Sequence, residues 1–268
     1  MQGNNARALD QFYTHPYVSE IFFKKLISLL PNALENRFIE PSAGNGAFSD
    51  LLLSSGLDFE ALDLDPRKPY IKQQDFFDYS PVDSDKKIVV VGNPPFGKNA
   101  SLALRFFNKS SEFCDVIAFI LPATFKKQSI QKKMALNFHL VHEEDTPYNS
   151  FIFEGNSYNV PCVFQIWEKR DGERVYSSPP STSDFAFVKT ALNADLAFQR
   201  VGAYAGKTTL APECADKNPN SHFFLKFRTR KALKEFLKCD FTTFKLCTAG
   251  CPSISKSEIL HIWNNKRS

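Results

Sequence analysis

At 268 residues the chain can hold one large domain, or one domain with a small appendage, and its 43% hydrophobic and 23% charged residues are ordinary for a globular protein. No apolar run is long enough to cross a bilayer, MQGNNARALDQF has no apolar signal core, and the six cysteines form no C-x-x-C pair, so a cytoplasmic chain with reduced thiols and no metal is expected. The net charge of +4 is unevenly spread: residues 172–268 hold 15 Lys/Arg against 8 Asp/Glu, while 1–171 hold 18 against 21. That asymmetry points to a catalytic body followed by a basic region whose usual partner is nucleic acid.

In chain order, DQFYTHP (10–16) precedes an amphipathic helix. Val18, Ile21, Phe22, Leu26, Leu29 and Leu30 recur at helical spacing, Pro16 suits the first turn, and Pro31-Asn32 ends it. Arg37–Glu40 reads as a short strand running into PSAGNGAF (41–48), with a helix through Leu51–Leu53. Strand, Gly-rich turn and helix open a nucleotide-binding α/β unit. A dinucleotide fingerprint would need a third glycine where Ser49 stands. Gly44 and Gly46 still let backbone approach a ligand, and the loop suits one without a pyrophosphate.

The next strand, FEALDLDP (59–66), ends in acids, where a ribose diol is gripped. On a strand Asp63 and Asp65 would face opposite sides. Asp75-Phe76-Phe77 could hold an adenine by its amine and its face, although a lone Asp-Phe is more often just a loop. Ile88–Val91 is a buried strand closing on GNPPF (92–96). Taken alone, that ending also reads as a surface turn. Its prolines lack N–H groups and hold the residues before them extended. Asn93 Oδ1 and the Pro94 carbonyl are then offered as acceptors beside the flat face of Phe96. Two acceptors and one aromatic plane suit a planar ring bearing an exocyclic –NH2.

A helix follows through Leu102–Phe107, then a buried strand within 114–125, and 126–135 is expected to be helical. FHLVHEE (138–144) and NVPCVFQIWEK (159–169) form an expected antiparallel pair. The predicted fold class is α/β: a doubly wound, mostly parallel sheet with an antiparallel C-terminal hairpin, plus a small basic C-terminal region. Predicted boundaries are 1–170 for the catalytic domain, 171–184 for a Ser/Pro/Asp-rich linker and 185–268 for the recognition region. Within the last, Phe223–Lys238 reads as a basic amphipathic helix. Lys226, Arg228, Arg230, Lys231 and Lys234 are its candidate phosphate contacts, against a merely solvated surface helix.

PSAGNG (41–46), DLD (63–65), DFF (75–77) and NPPF (93–96), in that order, resemble the class I S-adenosylmethionine-dependent methyltransferases. More narrowly they resemble the Rossmann-like enzymes that make N6-methyladenine in DNA, in their gamma motif order. The resemblance covers about residues 8–170. It implies S-adenosylmethionine as cofactor, with Tyr13, Thr14 and Pro16 against its methionine part, Pro41, Ser42, Gly44 and Gly46 along its backbone site, Asp63 on the ribose, and Asp75 with Phe76 on the adenine. It implies Asn93, Pro94, Pro95 and Phe96 as the catalytic tetrapeptide, with an aromatic from Phe151, Phe153 or Tyr158 on the second face of a flipped base. The implied activity is methyl transfer to the N6 amine of adenine in DNA, in an enzyme of bacterial or viral type that a restriction or regulatory partner could accompany. RNA adenine is the alternative acceptor. A non-catalytic nucleic-acid-binding module and a protein glutamine methyltransferase are more distant alternatives, since both carry less need for this combination of NPPF and a basic tail.

Overall fold

Two apolar runs form the middle of the fold: IVVVG (Ile88–Gly92) and VIAFILP (Val116–Pro122) are buried along their whole length. They pair in parallel, and parallel strands covered on both faces carry such uninterrupted apolar sequence. The structure, a computed structural model, describes residues 12–82, 85–176, 181–242 and 251–267. The chain divides into two compact units, Met1–Val175 and Tyr176–Ser268. Asp10 and Gln11 of the DQFYTHP segment and one of the six cysteines, Cys247, lie outside the described residues, as does part of the 171–184 segment.

The first unit begins with β1 (Tyr13–Thr14), α1 (Pro16–Leu29), β2 (Arg37–Glu40), α2 (Ser49–Ser54), β3 (Asp58–Asp63) and β4 (Lys72–Gln73). It continues with β5 (Ile88–Gly92), α3 (Ser101–Ser111), β6 (Val116–Pro122), α4 (Gln128–Gln131) and β7 (Phe138–Asp145). A short hairpin of β8 (Phe151–Phe153) and β9 (Asn156–Tyr158) precedes β10 (Cys162–Lys169). Seven strands form one sheet in the order β4-β3-β2-β5-β6-β10-β7. From β4 to β6 every pairing is parallel, and β10 runs antiparallel to both β6 and β7.

Helices cover the sheet because their apolar stripes match it. Val18, Phe22, Phe23 and Leu26 of α1 are buried, and the Phe22 ring stacks on Phe164 of β10 at 4.4 Å. On α3 the buried residues Ala103, Phe106 and Phe107 recur at helical spacing, and Phe107 meets the Trp167 edge at 5.6 Å. Burying side chains of this size contributes about 1.5–3 kcal/mol each. The N-terminal strand β1 joins a separate small sheet: Tyr13 pairs with Ile152 and Thr14 with Phe151. This pairing holds the start of the described chain beside the β8–β9 hairpin.

The second unit contains β11 (Phe185–Val188), β12 (Leu196–Gln199), β13 (Thr208–Leu210), β14 (His222–Phe227), α5 (Arg230–Phe236) and α6 (Lys256–Arg267). Its strands form an antiparallel sheet in the order β11-β14-β12-β13. Its core includes Phe185, Leu196, Phe198, Leu225, Phe236 and Trp263. The indole N–H of Trp263 donates to Asp184 at 3.0 Å, which satisfies its one polar atom.

Three expectations are corrected. Residues 126–135 are not one helix, since Ala123–Lys126 is a 3-10 turn and only Gln128–Gln131 is α-helical. The Arg174 guanidinium takes the carbonyls of Gln131, Met134 and Ala135, acceptors that a continuing helix would have used. Nor is 223–238 one helix. The aromatic-rich HFFLKF is a strand, as such residues prefer, and α5 starts only at Arg230, where the Thr229 hydroxyl caps Ala232 N–H at 3.1 Å. Third, β3 ends at Asp63, so Asp65 is not a strand residue pointing to the opposite face.

Among the described residues no helix is long and apolar enough to cross a membrane, and no cluster of His, Cys, Asp or Glu could hold a metal ion.

Candidate active site

The site is built where β5 gives way to Asn93-Pro94-Pro95-Phe96. Gly97 makes the exit from this loop. Its φ is +67°, and a Cβ there would come within 2.7 Å of Leu102 Cβ and 3.0 Å of Leu102 N. Only glycine fits. The turn lets the Phe96 carbonyl accept from the amides of Leu102 and Ala103 at 3.1 and 3.2 Å, tying the loop to the first turn of α3. Asn99 and Ala100 also hold left-handed φ values, 55° and 61°. For Ala100 that conformation costs about 1–2 kcal/mol.

Asn93 is the polar centre of the loop. Its Nδ2 donates to the Phe12 carbonyl at 2.9 Å. A carbonyl can only accept, so this bond fixes which end of the amide is which. Asn93 Oδ1 is left buried with no hydrogen-bond partner among the described residues. An unsatisfied buried acceptor costs about 1–3 kcal/mol. The Ser42 hydroxyl donates to the Asn93 carbonyl at 3.3 Å and stitches this loop to the one after β2.

That second loop carries Gly44 at φ +53°, where a Cβ would press on the Tyr13 ring at 3.0 Å. Gly44 N–H donates to Asp63 Oδ2 at 2.7 Å, and Asp65 N–H donates to Asp63 Oδ1 at 2.8 Å. A carboxylate has about four lone-pair sites, so Asp63 can pin both loops and still accept from a diol. Asp75 Oδ1 accepts from Phe77 N–H at 2.9 Å and caps the 3-10 turn Phe76–Asp78. The Phe76 ring stacks on Phe106 at 5.2 Å, and the Arg105 guanidinium lies 4.3 Å over Phe77.

These groups share one cavity of about 530 Å³, a size that suits a small ligand with part of another. Its lining includes Tyr13, Pro41, Ser42, Gly44, Asp63, Asp75 and Phe76 together with Asn93, Pro94, Pro95 and Phe96.

No protein-family model and no curated protein matches the chain. Solved structures do. One is a candidate RNA methyltransferase from Pyrococcus horikoshii, 18% identical over 60% of this chain and 87% of that one, with TM-score 0.46. Another is a candidate class I S-adenosylmethionine-dependent methyltransferase from Listeria monocytogenes, 17% identical over 63% and 64%, with TM-score 0.45. A third is TrmN from Thermus thermophilus, 17% identical over 58% and 49%, with TM-score 0.41. The chain thus spans less than two thirds of the second and third.

On its strand order and connections, the first unit is an α/β fold built on a mostly parallel seven-stranded sheet. In this fold the tips of β2, β3 and β5 converge on the cavity, as open α/β sheets place ligands at the carboxyl ends of their strands.

Not every candidate residue is brought there. Thr14 and Gly46 are buried and Pro16 is exposed at the start of α1; none lines the cavity. Phe151 is fully buried and meets Phe96 edge-on at 6.2 Å and 87°. Phe153 and Tyr158 also lie outside the lining. In the second unit Arg230, Lys231 and Lys234 are exposed on α5. Lys226 stands on β14, paired with Asp195 at 2.7 Å, and Arg228 is exposed in the turn after it.

Phe77, read in the sequence with Asp75 and Phe76, lines the cavity, and so do residues that sequence reasoning missed: Phe12, Gln74, Lys98, Leu102, Arg105 and Phe106. Three of them had a signal, since Leu102, Arg105 and Phe106 fall at i, i+3 and i+4 on α3 and share a face. Phe12 had none beyond being aromatic.

Behind the glycine loop, Glu40 is fully buried. Burial pushes its carboxyl up to about 8, against the opposing hydrogen bonds from the Ser49 hydroxyl and the amides of Ser49 and Phe48; the nearby Asp63 charge adds to the rise. It is a neutral acid through most of the physiological range and adds no charge to the wall.

Proposed function

We propose that the chain is an S-adenosylmethionine-dependent methyltransferase acting on the exocyclic N6 amine of adenine in DNA. The observation that carries this reading is Asn93. Its Nδ2 is held by the Phe12 carbonyl, and its Oδ1 is a buried acceptor without a partner, in a cavity shared with the glycine loop, Asp63 and Asp75. Shielded from water, that acceptor takes its donor from a bound ligand, and an aromatic amine delivers such a donor on a flat ring.

The lining fits a nucleoside-like cofactor. Gly44 admits close backbone approach, Asp63 keeps acceptor capacity for a diol, Asp75 with Phe76 can take an adenine, and Tyr13, Pro41 and Ser42 would flank the remaining part. S-adenosylmethionine, when bound, supplies a methyl group on a positively charged sulfur.

The chain's own residues prepare the amine. The nitrogen of adenine's amine is a poor nucleophile because its lone pair is delocalised into the ring. Asn93 Oδ1 and the Pro94 carbonyl accept its two hydrogens and favour tetrahedral geometry, which localises the lone pair. Pro94 and Pro95 hold the residues before them, Asn93 and Pro94, extended, and Phe96 offers a ring face. Positioning of this kind can supply much of a rate enhancement. An adenine in a duplex must first be unstacked and turned out, with Arg230, Lys231 and Lys234 as candidate backbone contacts.

The test uses labelled S-adenosylmethionine, with unmethylated genomic DNA and total RNA as competing acceptors, and nucleoside analysis of the product. Wild type should place label in N6-methyladenine of DNA. Asn93→Ala should lose it at least about 100-fold, in the range seen when a preorganised hydrogen-bonding group is removed, while S-adenosylhomocysteine still binds. Label confined to RNA would move the acceptor to RNA adenine. No label in either, from a protein that binds the cofactor product, would sink the nucleic-acid reading.

A further inference from the structure

We propose that Phe12, an N-terminal residue, supplies the second aromatic face of the acceptor slot, opposite Phe96. This rests on the reading of Asn93 as the acceptor of a ring-borne amine.

The Phe12 ring stacks with two others. Phe12 is 24° from Phe96 with centroids 6.5 Å apart, and 15° from Tyr158 with centroids 5.3 Å apart. A planar ring between two others needs about 6.8 Å, twice the base-stacking repeat of about 3.4 Å. The Phe96–Phe12 centroid distance is close to that spacing. Phe12 and Phe96 both line the cavity, whereas Tyr158 does not.

The other aromatics fit the role less well. Phe151 is fully buried and presents an edge to Phe96, so it offers no facing plane. Tyr158 stacks on Phe12 and lies outside the cavity lining. Phe153 packs on Phe12 at 5.2 Å, tilted by 38°. Tyr158 and Phe153 therefore back the Phe12 ring, and Phe12 itself meets the acceptor.

The backbone of the same residue sets the chemistry. The Phe12 carbonyl holds Asn93 Nδ2 at 2.9 Å, and a side-chain substitution at position 12 leaves that carbonyl in place. The stacking and amide-holding roles of Phe12 are thereby separable. Loss of the ring should weaken acceptor binding, and the surviving carbonyl should keep the bound amine productive. β1 fixes the position, since Tyr13 and Thr14 pair with Ile152 and Phe151 immediately after Phe12.

The experiment compares wild type with Phe12→Leu, Phe12→Tyr, Tyr158→Ala and Asn93→Ala. Steady-state methyl transfer is measured to whichever of unmethylated genomic DNA or total RNA the wild type labels. S-adenosylhomocysteine binding is followed by calorimetry and folding by thermal melting. Base–aromatic stacking predicts that Phe12→Leu raises the acceptor KM roughly five- to hundredfold. Its kcat should stay within about threefold, with cofactor-product binding and melting unchanged. Phe12→Tyr should restore the acceptor KM, and Tyr158→Ala should cost less than Phe12→Leu. An acceptor KM unchanged in Phe12→Leu, or a larger rise in Tyr158→Ala, would overturn the assignment while Asn93→Ala still reports on the activity. A wild type that labels neither acceptor would overturn the functional reading, and this one with it.

Discussion

The Ser49 hydroxyl donates to Glu40 Oε2 at 2.5 Å inside the wall behind the glycine loop. Both side chains are buried, and this bond stands where a dinucleotide fold would have a third glycine. Glu40 is held neutral up to about pH 8 by burial, whereas a carboxyl in an unfolded chain titrates near 4.3. Between those values the folded state binds the extra proton. Stability therefore falls as pH rises through the window, by at most about 1.4 kcal/mol per pH unit. Glu40→Gln copies the neutral acid, keeping an acceptor for Ser49. Its stability relative to wild type should grow from pH 5 to pH 8 in urea or thermal unfolding. A stability difference that stays flat across that range would show that Glu40 ionises normally in the fold.

Asp63 does two jobs with one carboxylate, accepting from Gly44 N–H and from Asp65 N–H. Asp63→Asn keeps the size but offers a single oxygen, so one backbone N–H loses its acceptor and the charge is gone. Hydrogen bonds to charged groups contribute about 1.5–3 kcal/mol. S-adenosylhomocysteine should bind roughly tenfold to a hundredfold more weakly, measured by calorimetry. Affinity within twofold of wild type would remove Asp63 from the proposed cofactor site.

The left-handed run at 97–100 gives a paired prediction. Gly97→Ala places a Cβ 2.7 Å from Leu102 Cβ at φ +67°, so it should lower stability by about 1–3 kcal/mol and reduce methyl transfer by moving Phe96. Ala100→Gly relieves a positive φ of 61° and should be neutral or stabilising by up to about 1 kcal/mol. Chemical denaturation of both variants decides the matter. Equal losses would mean that packing, not backbone conformation, governs the loop.

What could be read from the sequence followed the range of the interaction. Ile88–Gly92, Arg37–Glu40 and the glycine loop were legible because apolar runs and Gly/Pro punctuation are local signals. The convergence of Asp63, Asp75 and Asn93 on one cavity followed from strand tips sharing an end of the sheet. Phe12 was not legible, because its partner Asn93 lies 81 residues away. The break in the 126–135 helix depends on Arg174, about forty residues further on. The sheet of the second unit was hidden for another reason. Strands such as Phe185–Val188 and Leu196–Gln199 are four residues long, and Ala197 and Phe224 are buried on the face opposite Phe198 and Leu225. With apolar residues on both faces, no alternation was left to see.

The basic residues of the second unit separate by what already holds them. The Lys226 ammonium is 2.7 Å from Asp195, and the backbone amide of Phe227 donates to the other oxygen of the same carboxylate. Hydrogen bonding to Lys226 and Phe227 N–H lowers the Asp195 pKa despite partial burial. Lys226 therefore serves a local contact between β12 and β14. Arg230, Lys231 and Lys234 are exposed on α5, whose other side buries Ala232 and Phe236. If α5 meets phosphates, each of these three replaced by Gln should weaken DNA binding and lower the slope of log K against log salt by about one. Lys226→Gln should leave that slope alone and instead cost stability, by up to about 1 kcal/mol for a half-exposed pair. The measurement is fluorescence anisotropy with duplex DNA of mixed sequence, titrated at several salt concentrations. A slope that falls with Lys226 and not with the α5 residues would place the phosphate contacts on the sheet and take α5 out of the proposed interface.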